Sequence, residues 1–225
     1  MKIPVASAIF AAMSDTHVII IGTGAEGRIA ADIFAAAGII VLGFLETAEE
    51  ISTRDLNDIS VFAIAGSEDS KMVLQDNKVQ FLVAVGDIKL RKAVYERVAE
   101  ISKRHAANAQ HPGAWISPYA AIGFGNLFNY GVAVNANTQI GDNNLVHSGA
   151  VIEPDVTIGN YCTVSAGARI GTNASLEDNV FIGTGAIVHP GVKIGKGAMI
   201  GAGSVVLREV EEGTTVFGNP AQAVE

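Results

Sequence analysis

Gly22-Thr23-Gly24-Ala25-Glu26-Gly27 has the spacing G-x-G-x-x-G. That pattern does one kind of chemistry well: the first glycine permits a tight turn, the second lets backbone approach a phosphate, and the third lets a helix pack closely on a strand. Glu46 stands about twenty residues after the loop, where an acid can accept a hydrogen bond from a ribose hydroxyl. The chain has five histidines, His17, His105, His111, His147 and His189, each a possible proton acceptor near neutral pH. Its single cysteine, Cys162, excludes a disulfide framework and a cysteine-built zinc site, and no metal is expected.

The elements that must position these residues follow from hydrophobic pattern. Residues 17–22, HVIIIG, are a short apolar run ending at glycine, and 26–37 are alanine-rich with apolar positions at helical spacing. The glycine loop therefore joins a strand to a helix, with free N–H groups of the helix start offered to an anion. A second strand is expected at 39–44, a further apolar run at 81–86 and a helix near 88–104. Alone, loop and acid suggest NAD. Length argues otherwise, because two mononucleotide-binding halves need more than the ninety or so residues present. A Rossmann-like half unit fits a nucleotide-linked ligand better.

The 225 residues are 49% hydrophobic and 17% charged, which excludes a disordered or fibrous chain. Fifteen basic and twenty-three acidic residues, with no basic cluster longer than a pair, leave no nucleic-acid surface. Residues 1–104 carry 11 basic and 14 acidic side chains, and 105–225 only 4 and 9, so composition changes along the chain. The uncharged stretch 105–141 could span a bilayer by length, but Pro112, Pro118 and four asparagines between Asn126 and Asn137 argue against a membrane helix. Residues 1–13, MKIPVASAIFAAM, resemble a weak signal peptide, and an N-terminal extension on a cytoplasmic protein is the preferred reading. The expected divisions are 1–13, a nucleotide-binding domain at 14–110 and a second domain at 111–225.

The second domain is a repeat. Starting at Ile116, every sixth residue through Val206 is bulky and apolar, sixteen positions without exception. The residue four places later is usually small, and the next residue is often glycine. Period six is neither helical nor alternating; it is the hexapeptide repeat of a parallel β-helix, three hexads to a triangular coil, with coils stacked about 4.8 Å apart. Residues eighteen apart then share a column: Asn129, His147, Ser165, Gly183 and Gly201 on one corner, Asn135, Glu153, Gly171 and His189 on another. Glycine is expected to take the corner conformation, and Cys162 to fill a small interior slot.

A glycine-loop unit followed by hexads resembles the bacterial nucleotide-amino-sugar N-acetyltransferases of bacillosamine and perosamine pathways, near relatives of the sialic-acid O-acetyltransferases. The resemblance rests on IGTGAEG (21–27), GFLET (43–47), VAVGDIKLRKAV (83–94), HPGAWISPYA (111–120), GAVIEPDVTIGNYCTVSAGA (149–168) and VFGNPAQAV (216–224). It implies a left-handed β-helix, a homotrimer, acetyl-CoA between adjacent β-helices, and a UDP- or GDP-linked amino sugar held by the N-terminal unit for surface-glycan synthesis. The implied nucleotide-sugar contacts are Gly22, Gly24, Ala25, Glu26, Glu46, Thr47 and Gly86; those to acetyl-CoA are Thr163, Thr184 and Ala202.

Departures from the family concern base recognition and catalysis. Glu26 stands where histidine is common, and Glu46-Thr47 where Asp-Asp is common. The family's usual general base is a histidine in a run like Ile-Glu-His-Asp; here the run is Ile152-Glu153-Pro154-Asp155, and a second family histidine is replaced by Thr163. VHPGVKIG (188–195) repeats IEPDVTIG (152–159), so Pro154 reads as an ordinary corner residue. His147 and Asp155 remain as candidate catalytic residues. N-acetylation is the primary expectation; sugar O-acetylation and a nucleotide-sugar-binding homologue without catalysis are the alternatives.

Overall fold

The computed structural model describes residues 17–47, 55–56 and 58–224; the 1–13 extension lies outside them. The chain divides after His111 into two compact units.

In the first unit, β1 (His17–Ile21) leads through the glycine loop into α1 (Ala25–Ala36) and β2 (Ile40–Glu46). Then come β3 (Asp55–Leu56), β4 (Ile59–Ile64), α2 (Glu68–Gln75), β5 (Val79–Val83), α3 (Ile88–Ser102) and β6 (Ala109–Gln110). Strands β4, β2, β1 and β5 run parallel in that order, with β3 antiparallel on β4. Val18 to Ile21 on central β1 are fully buried, which explains why its sequence is continuously apolar rather than alternating. The hydrophobic pattern does not announce the β4–α2 pair. Its signals are weak: α2 is short and polar, though Ser67 caps it by accepting a hydrogen bond from Ser70 N–H. Chain order reverses direction between β1 and β5, and the loops after β1, β2 and β5 meet at their carboxyl ends, the place where open α/β sheets bind ligands.

The second unit is the left-handed β-helix. Sixteen two-residue strands, β7 (Trp115–Ile116) to β22 (Val205–Val206), each end on one of the sixteen apolar positions. Strands pair in parallel with those eighteen residues away, for instance Val151–Ile152 with Ala133–Val134 and Arg169–Ile170. The apolar positions are buried from Phe128 onward, and only Ile116 and Ile122 in the first coil are half-buried.

Glycine does take the corner conformation, at Gly131 and Gly149 for instance, but the glycines directly after the apolar positions serve a different purpose. Those directly after the apolar position, such as Gly141, Gly159 and Gly183, lack a left-handed φ. A Cβ on Gly183 would lie 2.5 Å from Ala202 N, so close stacking of coils excludes side chains there. The left-handed corner falls two residues further along, at φ near +60°, and is filled by Gly131, Asn137, Asn143, Gly149, Asp155, Tyr161 and their successors.

Asn126 and Asn144 interrupt the run of small slot residues, yet both are fully buried. Asn144 N–H and Nδ2 donate to Asn126 Oδ1 at 2.8 and 3.0 Å, and Asn144 Oδ1 accepts from Cys162 N–H at 2.7 Å. Cys162 continues this column, its thiol donating to Glu177 O at 3.0 Å. It is a core residue.

Candidate active site

Each glycine of the loop has its own work. Gly22 has φ +115° and its N–H donates to Leu45 O at 2.9 Å, tying β1 to β2; a Cβ there would lie 2.4 Å from Ala84 O. A Cβ on Gly27 would lie 2.0 Å from Gly22 O, so only glycine lets α1 start this close to the turn. Gly24 is the N-cap of α1 and faces open space, with nothing within 4 Å of the point a Cβ would occupy. No side chain caps α1 at Gly24, so no capping group stands between the positive end of the helix dipole and a ligand.

Gly22, Gly24, Ala25, Glu26, Glu46, Thr47 and Gly86 line one cleft of about 260 Å³. Thr23, Ala84 and Val85 complete it and carry no signal of their own in the sequence, although Thr23 lies inside the motif. Glu46 is buried; its Oε2 accepts from Thr23 Oγ1 at 2.6 Å and its Oε1 from Thr47 N–H at 2.7 Å. These two bonds fix the orientation of the carboxylate in the cleft. Glu26 lies over Gly86, its Cγ 3.6 Å from where a Cβ on that glycine would be. Among the described residues the lining holds two carboxylates and neither lysine nor arginine, so backbone N–H groups and the Thr47 hydroxyl are what it offers to an anion.

The remaining candidates lie on the β-helix. Its corner between the face of Leu145, Thr163 and Phe181 and the face of Val151, Arg169 and Ile187 carries the column of His147, Ser165, Gly183 and Gly201, with Thr184 and Ala202 beside them. His147, Thr184 and Ala202 therefore share one edge, and Thr163 is buried on the adjoining face. Thr184 and Ala202 are exposed on this convex edge. Asp155 stands at the next corner, across the strand Val151–Ile152, where it takes φ +62° and accepts from Asn137 Nδ2 at 3.1 Å. One chain does not bring His147 and Asp155 to the same corner. Pro154 precedes the left-handed Asp155 as Pro190 precedes Gly191, so both are turn-forming corner residues. Among the described residues, no group of three or more His, Cys, Asp or Glu could hold a metal ion.

The PglD N-terminal domain family matches residues 17–98, and the bacterial transferase hexapeptide family matches 137–172 and 173–208. A solved histidine-to-alanine variant of GDP-perosamine N-acetyltransferase from Caulobacter crescentus, in complex with CoA and GDP-perosamine, is 30% identical. The similarity covers 93% of this chain and 97% of that one, with a TM-score of 0.87. The chain belongs to the nucleotide-amino-sugar N-acetyltransferase family. It is an acyltransferase of the hexapeptide-repeat type. The acetyltransferase domain of PglB from Neisseria gonorrhoeae, in complex with acetyl coenzyme A, is 26% identical over 94% of this acyltransferase and 100% of that chain, with a TM-score of 0.83. Curated proteins gave no significant match. In this acyltransferase, no helix among the described residues is long and apolar enough to cross a membrane.

Proposed function

We propose that this acyltransferase moves the acetyl group of acetyl-CoA to the amino group of a UDP- or GDP-linked amino sugar, in the cytoplasm and for surface-glycan synthesis. The observation that carries the reading is the cleft at the carboxyl ends of β1, β2 and β5, where a helix start without a side-chain cap and the acidic Glu46 sit together. In this reading the diphosphate lies against the N–H groups of Ala25 and Glu26, and Glu46 takes a sugar hydroxyl. Thr163, Thr184 and Ala202 hold acetyl-CoA. The relatives in complex with GDP-perosamine and with acetyl coenzyme A support the pairing of these two substrates.

Proline at position 154 favours nitrogen over oxygen as the acceptor. A sugar amine resembles an α-amino group, with pKa about 7.7 to 8.0, so a useful fraction is neutral and nucleophilic near pH 7.5 without a base. The amine nitrogen attacks the thioester carbonyl, the tetrahedral intermediate forms, the C–S bond breaks, and CoA leaves as thiol with the proton lost by nitrogen. A base removes that proton and is typically worth ~10² to 10⁴ in rate; positioning and N–H donors supply the rest. A hydroxyl needs the base far more. His147 and Asp155 are the candidates for relaying this proton, and with nitrogen as the acceptor the loss of His147 is expected to cost less than tenfold in kcat.

The convex edge bearing Thr184 and Ala202 supports a homotrimer, since a second β-helix alongside would provide the other wall for CoA. The outward column Trp115, Ala133, Val151, Arg169, Ile187 and Val205 holds one charge, whereas Gln139, Thr157, Ser175 and Lys193 make another face polar. Thioester cleavage measured with a panel of UDP- and GDP-linked amino sugars tests the activity, with turnover expected for an amino sugar and none for its hydroxy analogue. Turnover of the hydroxy sugar alone would replace the reading with O-acetylation. A sedimenting monomer with full activity would overturn the trimer.

A further inference from the structure

Among the described residues the cleft has no cation in its lining, but a fully buried one stands behind it. Arg91, near the start of α3, has no exposed surface, and its Nη1 donates to Val85 O at 2.7 Å and to Gly86 O at 3.0 Å. Both carbonyls belong to the turn that forms one wall of the cleft. Burying a guanidinium costs several kcal/mol unless its donors are satisfied, so its placement under two successive carbonyls calls for a physical account. A trans peptide is planar, with C=O and N–H on opposite sides. Turning the Val85 carbonyl down onto Arg91 therefore turns the Gly86 N–H the other way, and Gly86 is exposed on the cleft. The absence of a Cβ at Gly86 leaves that N–H accessible beside Glu26.

We propose that Arg91 is a positioning residue for nucleotide binding. It holds the Val85–Gly86 turn so that the Gly86 N–H points at the ligand diphosphate from the side opposite α1, and its charge reaches the cleft through the peptide it polarises. The proposal rests on the nucleotide occupying this cleft. It explains how a lining that, among the described residues, holds two carboxylates and no cation accepts an anion: the positive charge acts from one peptide away, through the Val85 and Gly86 carbonyls it holds.

The test uses the full chain, with UDP and GDP as probes and CoA as internal control, by calorimetry. Arg91→Met is expected to weaken whichever nucleotide binds by tenfold or more while the CoA Kd stays within twofold. Arg91→Lys, which keeps the charge and one donor direction, is expected to fall between. A folded Arg91→Met protein with nucleotide Kd within twofold of wild type would overturn the proposal. Should Arg91→Met not fold, the wild-type protein decides: the Gly86 amide proton is expected to move downfield on nucleotide addition, and an unmoved Gly86 with a shifted Ala25 would overturn it. Gly24→Val separates this from the reading beneath it. If Gly24→Val leaves nucleotide affinity intact, the cleft is not the nucleotide site and both fail; if it abolishes binding while Arg91→Met does not, Arg91 alone is dismissed.

Discussion

The glycine loop and the hexad β-helix both depend on glycine, for opposite ends. In the loop, Gly22 and Gly27 are closed in by backbone at 2.4 and 2.0 Å, while Gly24 between them faces empty space. In the β-helix, Gly141, Gly159 and Gly183 are all closed in by the neighbouring coil, and the left-handed corners are a separate set of positions. The first region uses two tight glycines to keep a third one open; the second uses glycine after its apolar positions to let coils stack closely, and other glycines, such as Gly149 and Gly167, to turn its open corners. A missing side chain can thus mean room for a ligand or the lack of room for anything, and only the surroundings tell which.

Substitutions at these positions should break the comparison in different ways. The largest effect is expected from Gly183→Val, whose side chain would enter the backbone of Gly201 and Ala202; loss of the cooperative melting transition or a fall of at least ~3 kcal/mol in denaturant titration is predicted. Asn144→Ala comes next, because it removes the side-chain acceptor of the buried Cys162 N–H and one of the two donors to Asn126 Oδ1; about 1 to 3 kcal/mol should be lost in the same titration. Gly24→Val should leave melting unchanged and weaken nucleotide-sugar binding by tenfold or more without altering CoA binding. Equal loss of both affinities would break the two-site division.

His147→Ala sharpens the chemistry. A kcat loss under tenfold is expected, with activity following amine ionisation near an apparent pKa of about 8. A loss of ~10² or more at unchanged KM and unchanged stability would make His147 the general base. The smallest effect belongs to Lys193 and Glu177, 3.0 Å apart on the polar face. The Lys193 hydrogen bond holds the Glu177 carboxyl below its ordinary range, and Glu177 holds the Lys193 ammonium above its own. The carboxylate's contribution is lost as pH falls through its lowered value, and the ammonium's as pH rises through its raised one. Between about pH 6 and 9 neither titrates, and Lys193→Ala should show no measurable change in melting because the pair is solvent-exposed.

Much of this molecule was legible before its structure. The sixteen apolar hexad positions all became strand ends, and the seven loop and strand-end residues came to line one cleft, because both follow from local periodicity and chain direction. The purpose of the glycines directly after the apolar positions is not legible in this way, since stacking distance between coils is a three-dimensional quantity that spacing does not carry. Asn137, Asn143, Asp155, Asn173 and Asn179 held the correct signal, being residue types that tolerate the left-handed region. Arg91 was hidden as one of two adjacent basic residues on a helix, where nothing local distinguishes the buried member from its neighbour. Convex corners are equally opaque: each exposes several residues alike, so spacing does not rank His147 against the rest.

The eighteen-residue register ends after Val206. Ile194 bridges Val210, and Met199–Ile200 pair with Thr215–Val216, sixteen residues on in both cases. The following segment, Ala221–Ala223, then folds back antiparallel on Thr215–Gly218. Identical rungs could otherwise be added indefinitely, as in a fibril, because each coil presents the next with a ready template of unpaired N–H and C=O groups. The shortened, out-of-step coil and the reversed strand at 221–223 cover part of that template with chain that does not continue the hexad register.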